Sequence, residues 1–499
     1  MPARDSTLDG AVHAPEFPAQ LEWLNTAAPL PLASLRGKIV LLDFWSYCCI
    51  NCLHILPDLA VLEQRYPDEL VVIGVHSGKF QSERGTNNIR NAVMRYGIAH
   101  AVLNDANYDV WNAYAVHSWP TTVLINPNGR IISQRSGEGV ERELDPLIRR
   151  SIAYFSAKGE LTRGHTVAAL ETDRMPKTVL SFPGKIASDP AGGRLFITDT
   201  NHHRLVVTDA SGSVLAVIGD GKKGRNDGRF AEARFNKPQG ACLVGDILYI
   251  ADTENHLIRA ADLKTGMVRT VLGTGRQGFE TDFNRRGIDV ELNSPWDLAA
   301  IGNTLYIAMA GRHQLWSVDL ATFHAAILAG SGAEARVDGP SRQAALAQPS
   351  GLTSDGKVLY FADSESSSIR EVSPLPDGRV RTIVGEDLFE FGDVDGPAAV
   401  ARLQHPLGVV AHAGILYVAD TYNGKIKRID PLRRSSAGFA GSGTRGMADG
   451  PRLTAQFDEP SGICVLGNDL YVADTNNHRI RVVDLATGAV RTLALRGLE

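Results

Sequence analysis

Asp43-Phe44-Trp45-Ser46-Tyr47-Cys48-Cys49-Ile50-Asn51-Cys52 puts three of the chain's five cysteines inside five consecutive residues. Upstream, Lys38 to Trp45 is a run of branched and aromatic side chains, the composition of a buried strand. Downstream, Leu53, Leu56, Leu59 and Leu62 recur at the spacing of an amphipathic helix packed on a sheet, and Pro57 is expected to kink it. A strand that enters a helix through a cluster of thiols points to chemistry at the turn. The bland alternative is three small buried hydrophobes.

At 499 residues the chain exceeds what one core supports, so two or three domains are expected. With 43% hydrophobic and 21% charged residues it has the composition of a soluble globular protein. A net charge of -5 and a pI near 6.3 argue against nucleic acid as a partner. The first 25 residues lack a signal-peptide pattern and no run of apolar residues reaches membrane-spanning length, so the expectation is a cytoplasmic protein with no membrane span. Reduced thiols follow from that address, with any disulfide among Cys48, Cys49 and Cys52 transient. Cys242 and Cys464 pair only if the fold brings them together.

Further along the first third, Leu70 to Val75 reads as a second strand and Asn88 to Tyr96 as a helix. Val102 and Leu103, then Thr121 to Asn126, read as further strands. Pro127-Asn128-Gly129-Arg130 turns the chain back into a strand at Ile131 to Ser133, and Glu141 to Tyr154 closes the domain as a helix. Alternation ending in a hairpin implies a mixed sheet with helices on both faces.

Three segments now carry a resemblance. Asp43-Phe44-Trp45 with Cys49-Ile50-Asn51-Cys52, then Val116-His117-Ser118-Trp119-Pro120-Thr121, then Leu124-Ile125-Asn126-Pro127-Asn128-Gly129 occur in the order found in thioredoxin-fold proteins. Residues 14 to 155 resemble the TlpA and ResA-like thiol-disulfide oxidoreductases. That resemblance implies a cis Pro120 beside the sulfurs, with Trp45 and Trp119 as accessory residues. It also implies that Asp43 is the buried acid beneath the pair, where a carboxyl takes the resolving thiol's proton. The rival reading for Asp43 is an ordinary strand-end hydrogen bond.

The chemistry can be stated from the residues themselves. A cysteine at a helix N-terminus sees the positive end of the dipole, which favours the thiolate, and Cys49 has that place. Cys52 lies one turn deeper on the same face, where it attacks a mixed disulfide formed at Cys49. Cys49 is then the nucleophile and Cys52 the resolving thiol. The Ile50-Asn51 dipeptide leaves the redox potential open. Cys48 stands where the family commonly has tryptophan, and as an accessory thiol it is open to a competing bridge, glutathione, a soft metal or mere packing. His54 and His76 read as satisfied polar residues and not as ligands. The site needs no metal and no cofactor.

Ser156 to Lys177 is polar and weakly patterned, a linker hugging one or both domains. After it comes a repeat. Leu195-Phe196-Ile197-Thr198-Asp199 returns as Leu248 to Asp252, Leu305 to Met309, Leu359 to Asp363, Leu416 to Asp420 and Leu470 to Asp474, at intervals of 53 to 57 residues. A short strand precedes each copy and two follow, so six repeats of four strands make a six-bladed β-propeller. The last copy, Leu470-Tyr471-Val472-Ala473-Asp474-Thr475-Asn476-Asn477-His478-Arg479-Ile480, resembles the NHL repeat. All four strands of the last blade precede Glu499, so closure needs no borrowed strand, although residues 170 to 180 are open as a donor.

Asp-Gly pairs at 227-228, 338-339, 395-396 and 449-450 mark the connections between blades, and the second connection, Gly278 to Ser294, lacks one. Antiparallel order puts these connections and the turns bearing His202, His203, His256, His313 and His478 on one face. Residues recurring in every repeat are structural groups more readily than a metal ring. Blade three departs, with Met309-Ala310-Gly311, either as a binding notch or as drift.

The fold class is therefore an α/β thioredoxin-like domain (1-158), a linker (159-177) and an all-β six-bladed NHL propeller (178-499). Both halves together resemble the animal NHL-repeat-containing protein 2 family and its bacterial relatives. Animal members carry a further β-rich domain after the propeller, which this sequence stops short of. The function this implies is dithiol/disulfide exchange at Cys49 and Cys52, assisted by Asp43 and Pro120. The partner is a protein disulfide, or a protein held by the propeller's loop face. The alternative is a non-catalytic scaffold or redox-sensing module. A peroxidase is disfavoured because the peroxiredoxin-type Pro-x-x-x-Thr-x-x-Cys pattern is absent, and a propeller hydrolase because no inward acidic metal set is visible.

Overall fold

Seven fully buried side chains in succession make Ile39–Trp45 the centre of the first sheet, and everything in the first third is arranged about it. The computed structural model describes residues 6–164, 169–175, 177–280, 285–375 and 377–498. The chain divides into two compact units, Met1–Pro176 and Lys177–Glu499. Parts of the expected linker (165–168 and 176) and of the second blade connection (281–284) lie outside the described residues.

Along the first unit run α1 (Ser6–Asp9), β1 (Val12–His13), β2 (Trp23–Leu24), β3 (Ile39–Trp45) and α2 (Ile50–Arg65). There follow β4 (Leu70–His76), α3 (Thr86–Tyr96), β5 (Ala101–Asn104), α4 (Asp109–Ala113), β6 (Thr121–Ile125), β7 (Arg130–Ser136) and α5 (Val140–Lys158). The sheet order is β1-β7-β6-β3-β4-β5-β2, with β3 parallel to β4 and antiparallel to β6. Period two splits β3 between two cores. Val40, Leu42 and Phe44 pack with Val110, Trp111 and Tyr114 on one face. Ile39 and Leu41 pack with Ile55, Leu59 and Leu62 of α2 and Leu144 and Ile148 of α5 on the other. Each such side chain contributes about 1.5–3 kcal/mol of burial, so β3 alone anchors both layers.

The α2 helix runs unbroken through Pro57, which sits on its exposed side, where the lost backbone bond faces water. Gly97 ends α3 at φ +69°, a conformation only glycine adopts cheaply. Part of the expected linker belongs to the first unit. Thr162 N–H donates to Gly37 O, and Arg90 Nε lies 3.0 Å from Glu171 of a short 3₁₀ turn at Glu171–Arg174.

The second unit contains six antiparallel sheets. Blade six consists of Pro460–Leu466, Asp469–Asp474, Arg479–Asp484 and Val490–Thr492, all its own. Its first strand packs beside that of blade one, Ile186–Asp189, which closes the ring. The chain end finishes the seal, with Val214 N–H donating to Arg496 O and Arg496 N–H to Gly212 O. Blades two to five each gain a fifth strand of two residues from the preceding connection, a piece the four-strand reading missed. Among the described residues, 170 to 180 supply no strand.

The repeat's signature residues form the seams. Asp252, Asp363 and Asp474 are fully buried, and seven residues on, Arg259, Arg370 and Arg481 reach back to them at 2.7–2.9 Å. The other guanidinium nitrogen of each grips the Asp of the Asp-Gly pair, Asp227, Asp338 and Asp449. Lys427 takes the arginine's place in blade five, reaching Asp395 at 2.8 Å. Each triad ties a connection to two strands with bonds that satisfy the buried charges. In blade three all three members change together. Met309 and Trp316 pack in the core, and the Met309 sulfur accepts the Asn293 N–H at 3.3 Å. The departure is a packed substitution and not a notch.

The histidines are clasps between blades. His203, His256, His313 and His478 all adopt φ near +50°. Their Nδ1 atoms accept the backbone N–H of Lys237, Ser294, Gln348 and Phe182 at 3.0–3.1 Å. His202 differs and pairs with Asp199 at 2.8 Å. His256→Ala leaves the Ser294 N–H without this acceptor and should cost about 1–2 kcal/mol in urea unfolding. An unchanged midpoint would refute the clasp.

Candidate functional site

Among the described residues, no disulfide joins any of the five cysteines. Cys242 and Cys464 lie in the first strands of blades two and six, on either side of blade one, and form no disulfide; burial pushes both thiols up to about 12.

Ser46 to Cys49 is the turn from β3 into α2, and Cys49 is the N-cap of that helix. Its carbonyl accepts the N–H of Cys52 and Leu53, so the first turn begins at the sulfur-bearing residue. Cys52 follows inside the helix and is fully buried, whereas Cys49 is 4% exposed. Burial drives the Cys52 thiol well up, and its hydrogen bond to Cys49 adds to this, while the Lys79 charge opposes it. The buried member of the pair is thus held as a thiol, which suits a residue that reacts second.

Asp43 lies on the α2 face of β3, fully buried, with neither carboxyl oxygen hydrogen-bonded. The strand-end hydrogen bond is therefore not its role. Burial pushes its carboxyl up to about 7, against a smaller pull from His100. Trp45, two residues on, packs edge-on against His76 with ring centres 4.9 Å apart. His76 also stacks on Tyr47 at 5.3 Å, and neither of its ring nitrogens has a hydrogen-bond partner. This corrects the expectation for His76. It is a neutral aromatic packing group whose affinity for a proton burial lowers to about 3. His54 is satisfied as expected, by Glu138 at 2.9 Å.

The Trp119-Pro120 bond is cis. Because Thr121 pairs with Phe44, Pro120 falls opposite Trp45, at the end of the sheet where β3 turns into the thiol helix. Trp119 is held by its indole N–H, which donates to Ser77 O at 2.8 Å, and by Trp111 at 4.3 Å. Asp43, Cys52 and Cys49 are therefore brought together through the helix, and Pro120 through the strand register.

Glu83 is the residue that reading the sequence missed. Fully buried on a 3₁₀ turn after β4, it accepts Ser46 Oγ–H at 2.7 Å, the Cys48 N–H at 3.0 Å and the Phe80 N–H at 3.0 Å. It fixes the loop that delivers Cys49. Cys48 is part of that clasp, its sulfur 3.1 Å from Ser46 Oγ. A glutamate 35 residues from the loop it holds has no local signal.

A thioredoxin-like sheet presenting a cysteine pair, joined to an NHL-type propeller, defines the class. The thioredoxin-like family model matches residues 37–131, and the NHL repeat model matches 180–207, 235–260 and 457–483. NHL repeat-containing protein 2 of Bos taurus is 44% identical over 513 residues, 95% of this chain and 70% of that protein. The chain belongs to the NHL repeat-containing protein 2 family. Protein SUPPRESSOR OF QUENCHING 1, chloroplastic, of Arabidopsis thaliana is 43% identical over 512 residues, 98% of this chain but 48% of that protein, so the chain spans about half of this relative's length. The first unit is similar to thiol-disulfide oxidoreductases. ResA of Halalkalibacterium halodurans is 29% identical over 120 residues, 24% of this chain and 65% of that protein. No helix among the described residues is long and apolar enough to cross a membrane.

Proposed function

We propose that the first unit catalyses dithiol/disulfide exchange and that the propeller is a platform for the protein it acts on. The observation that carries the reading is the unpartnered, buried Asp43 carboxyl, raised to about 7, beneath a thiol pair whose inner member is bonded to the outer. A group poised near neutral pH is the base that the second thiol needs.

In this reading the Cys49 thiolate attacks a partner disulfide, forming the Cys49–partner bond and releasing one partner thiolate to solvent protons. Cys52 then gives its proton to Asp43 and attacks the Cys49 sulfur. The Cys49–Cys52 disulfide forms and the second partner thiolate leaves. A dithiol donor reverses these steps to regenerate the enzyme. Pro120 and the backbone before β6 offer a surface for an extended partner segment. Cytoplasmic location belongs to the same proposal and is supported by cysteines that form no disulfide among the described residues. The Arabidopsis relative, chloroplastic by name, makes an organelle the competing address.

The test is a trap. In Cys52→Ser, attack proceeds and resolution does not, so oxidised glutathione should leave one stable adduct on Cys49, located by peptide mass spectrometry. Wild type should show the intramolecular Cys49–Cys52 bond. An adduct distributed evenly over Cys48 and Cys49, or none, would sink the reading and leave the scaffold alternative.

A further inference from the structure

His100 is a buried histidine that the exchange reaction leaves unused. His100 precedes β5 and is 6% exposed. Its Nδ1 lies 3.4 Å from Glu63 Oε2 on α2, and its Nε2 has no hydrogen-bond partner. That free nitrogen points at Gly74, where an added Cβ would sit 3.4 Å from it and 2.9 Å from Trp45 Nε1. Gly74 is the register partner of Asp43 across the parallel β3–β4 pair. The absent side chain at 74 therefore leaves the Asp43 carboxyl and the His100 imidazole facing one region of the core, each with unpaired atoms.

On its far side His100 meets a way out. With Glu63, Gln64, Ala60, Leu70 and Val72 it lines a cleft of 510 Å³ in the first unit. The Glu63 side chain is 26% exposed there. The other titratable groups near the path are Cys52 on α2, and His76 on β4, which the rings of Trp45 and Tyr47 enclose. His76 stays neutral near pH 7, because burial lowers its affinity for a proton to about 3, so it does not compete.

We propose that His100 carries the Cys52 proton from Asp43 to Glu63 and the solvent of this cleft. The inference rests on the exchange chemistry above and supplies what it lacks, an exit for a proton released in a sealed core. When Cys52 attacks, its S–H bond breaks and Asp43 gains the proton. Asp43 passes it to His100 Nε2, directly or over one water, and the Nδ1 proton moves to Glu63 and so to solvent. The ring is left as the Nε2–H tautomer. When a dithiol donor reduces the Cys49–Cys52 bond, Asp43 takes the proton from His100 Nε2 and hands it to the Cys52 thiolate, ending as the carboxylate it began as. Glu63 returns a proton to Nδ1, and the tautomer resets. His100 acts through Asp43 and touches no substrate.

The full chain, reduced and mixed in stopped flow with 5,5'-dithiobis(2-nitrobenzoate), separates the steps. Attack by Cys49 releases one coloured thiolate and resolution by Cys52 a second, with Cys49→Ser as baseline. His100→Ala should leave the first phase unchanged and slow the second roughly tenfold or more near pH 7. Added imidazole, entering the cleft, should restore it in proportion to concentration. Glu63→Gln, which keeps the cleft filled, should slow the same phase, so the idea stays testable if His100→Ala folds poorly. A second phase of wild-type rate in both variants would overturn the relay while leaving exchange intact. So would a slow phase that imidazole does not restore, because that marks a structural role. A wild-type chain without a first phase would overturn exchange itself, and the relay with it.

Discussion

Cys49→Ser is expected to reduce insulin reduction by the chain to the dithiothreitol background, a loss of at least about a thousandfold, or ~4 kcal/mol of barrier. Serine keeps the size of the side chain and the N-cap position, so the fold should survive. What disappears is the thiolate, the only form that attacks a disulfide at useful rates. Cys48 is one residue away and cannot substitute, because Glu83 binds its N–H and Ser46 its sulfur within the loop. Cys52 cannot substitute either, since burial holds it as a thiol. Residual turnover above a few per cent would mean that Cys48 is the nucleophile. The matched control is Cys48→Ser, which should retain turnover.

Asp43→Asn should stabilise the first unit at pH 8 by roughly 3–4 kcal/mol and leave it nearly unchanged at pH 4. In the unfolded chain the carboxyl titrates near 3.9. In the fold, burial raises it to about 7. Between those values the folded state holds a proton that the unfolded state has lost, so stability falls as pH rises from about 4 to about 7. Above that window the whole penalty of a buried, unpaired carboxylate is present. Asparagine has the same shape and no charge, and at pH 4 it replaces a neutral acid that is equally short of partners, so the two nearly cancel. Hydrogen exchange of the Ile39–Trp45 amides, variant against wild type at each pH, reads the effect locally. Equal protection at pH 8 would show that Asp43 titrates normally. The same variant should slow the second phase of the stopped-flow assay and not the first, so stability and turnover move in opposite directions.

These outcomes bear on why such an acid is retained. Under the proposed exchange, a carboxyl that costs stability at neutral pH, with no hydrogen bond to hold it, serves to take a neighbouring proton. Glu83 is the contrast. It is equally buried, but three donors occupy it, and it belongs to the architecture of the loop.

Sequence alone determined the elements whose cause is local. The buried run before Trp45, the helix that starts at Cys49, the turn at Pro127 to Arg130 and the six copies of the Leu-Tyr-Ile-Ala-Asp strand each follow from periodicity or turn chemistry within about ten residues, which a linear reading captures. It also carried the pairing of Asp43 with the thiols and the place of Pro120, through a family resemblance and not through spacing. Only the tertiary structure decided what depends on segments far apart in the chain. Glu83 clasps a loop 35 residues away. His100 comes near Asp43 because its Nε2 lies over Gly74, the register partner of Asp43. The repeat histidines prove to be inter-blade clasps, and the Met309 to Trp316 exchange a repacked seam. Residues 159–164 and 169–175, polar and unpatterned, belong to the first unit through contacts such as Thr162 N–H to Gly37 O. A buried polar atom is paid for by its partner, and partners are chosen by the fold. Strand and helix periods are written into the chain, whereas the proton path and the seams exist only once the chain has closed.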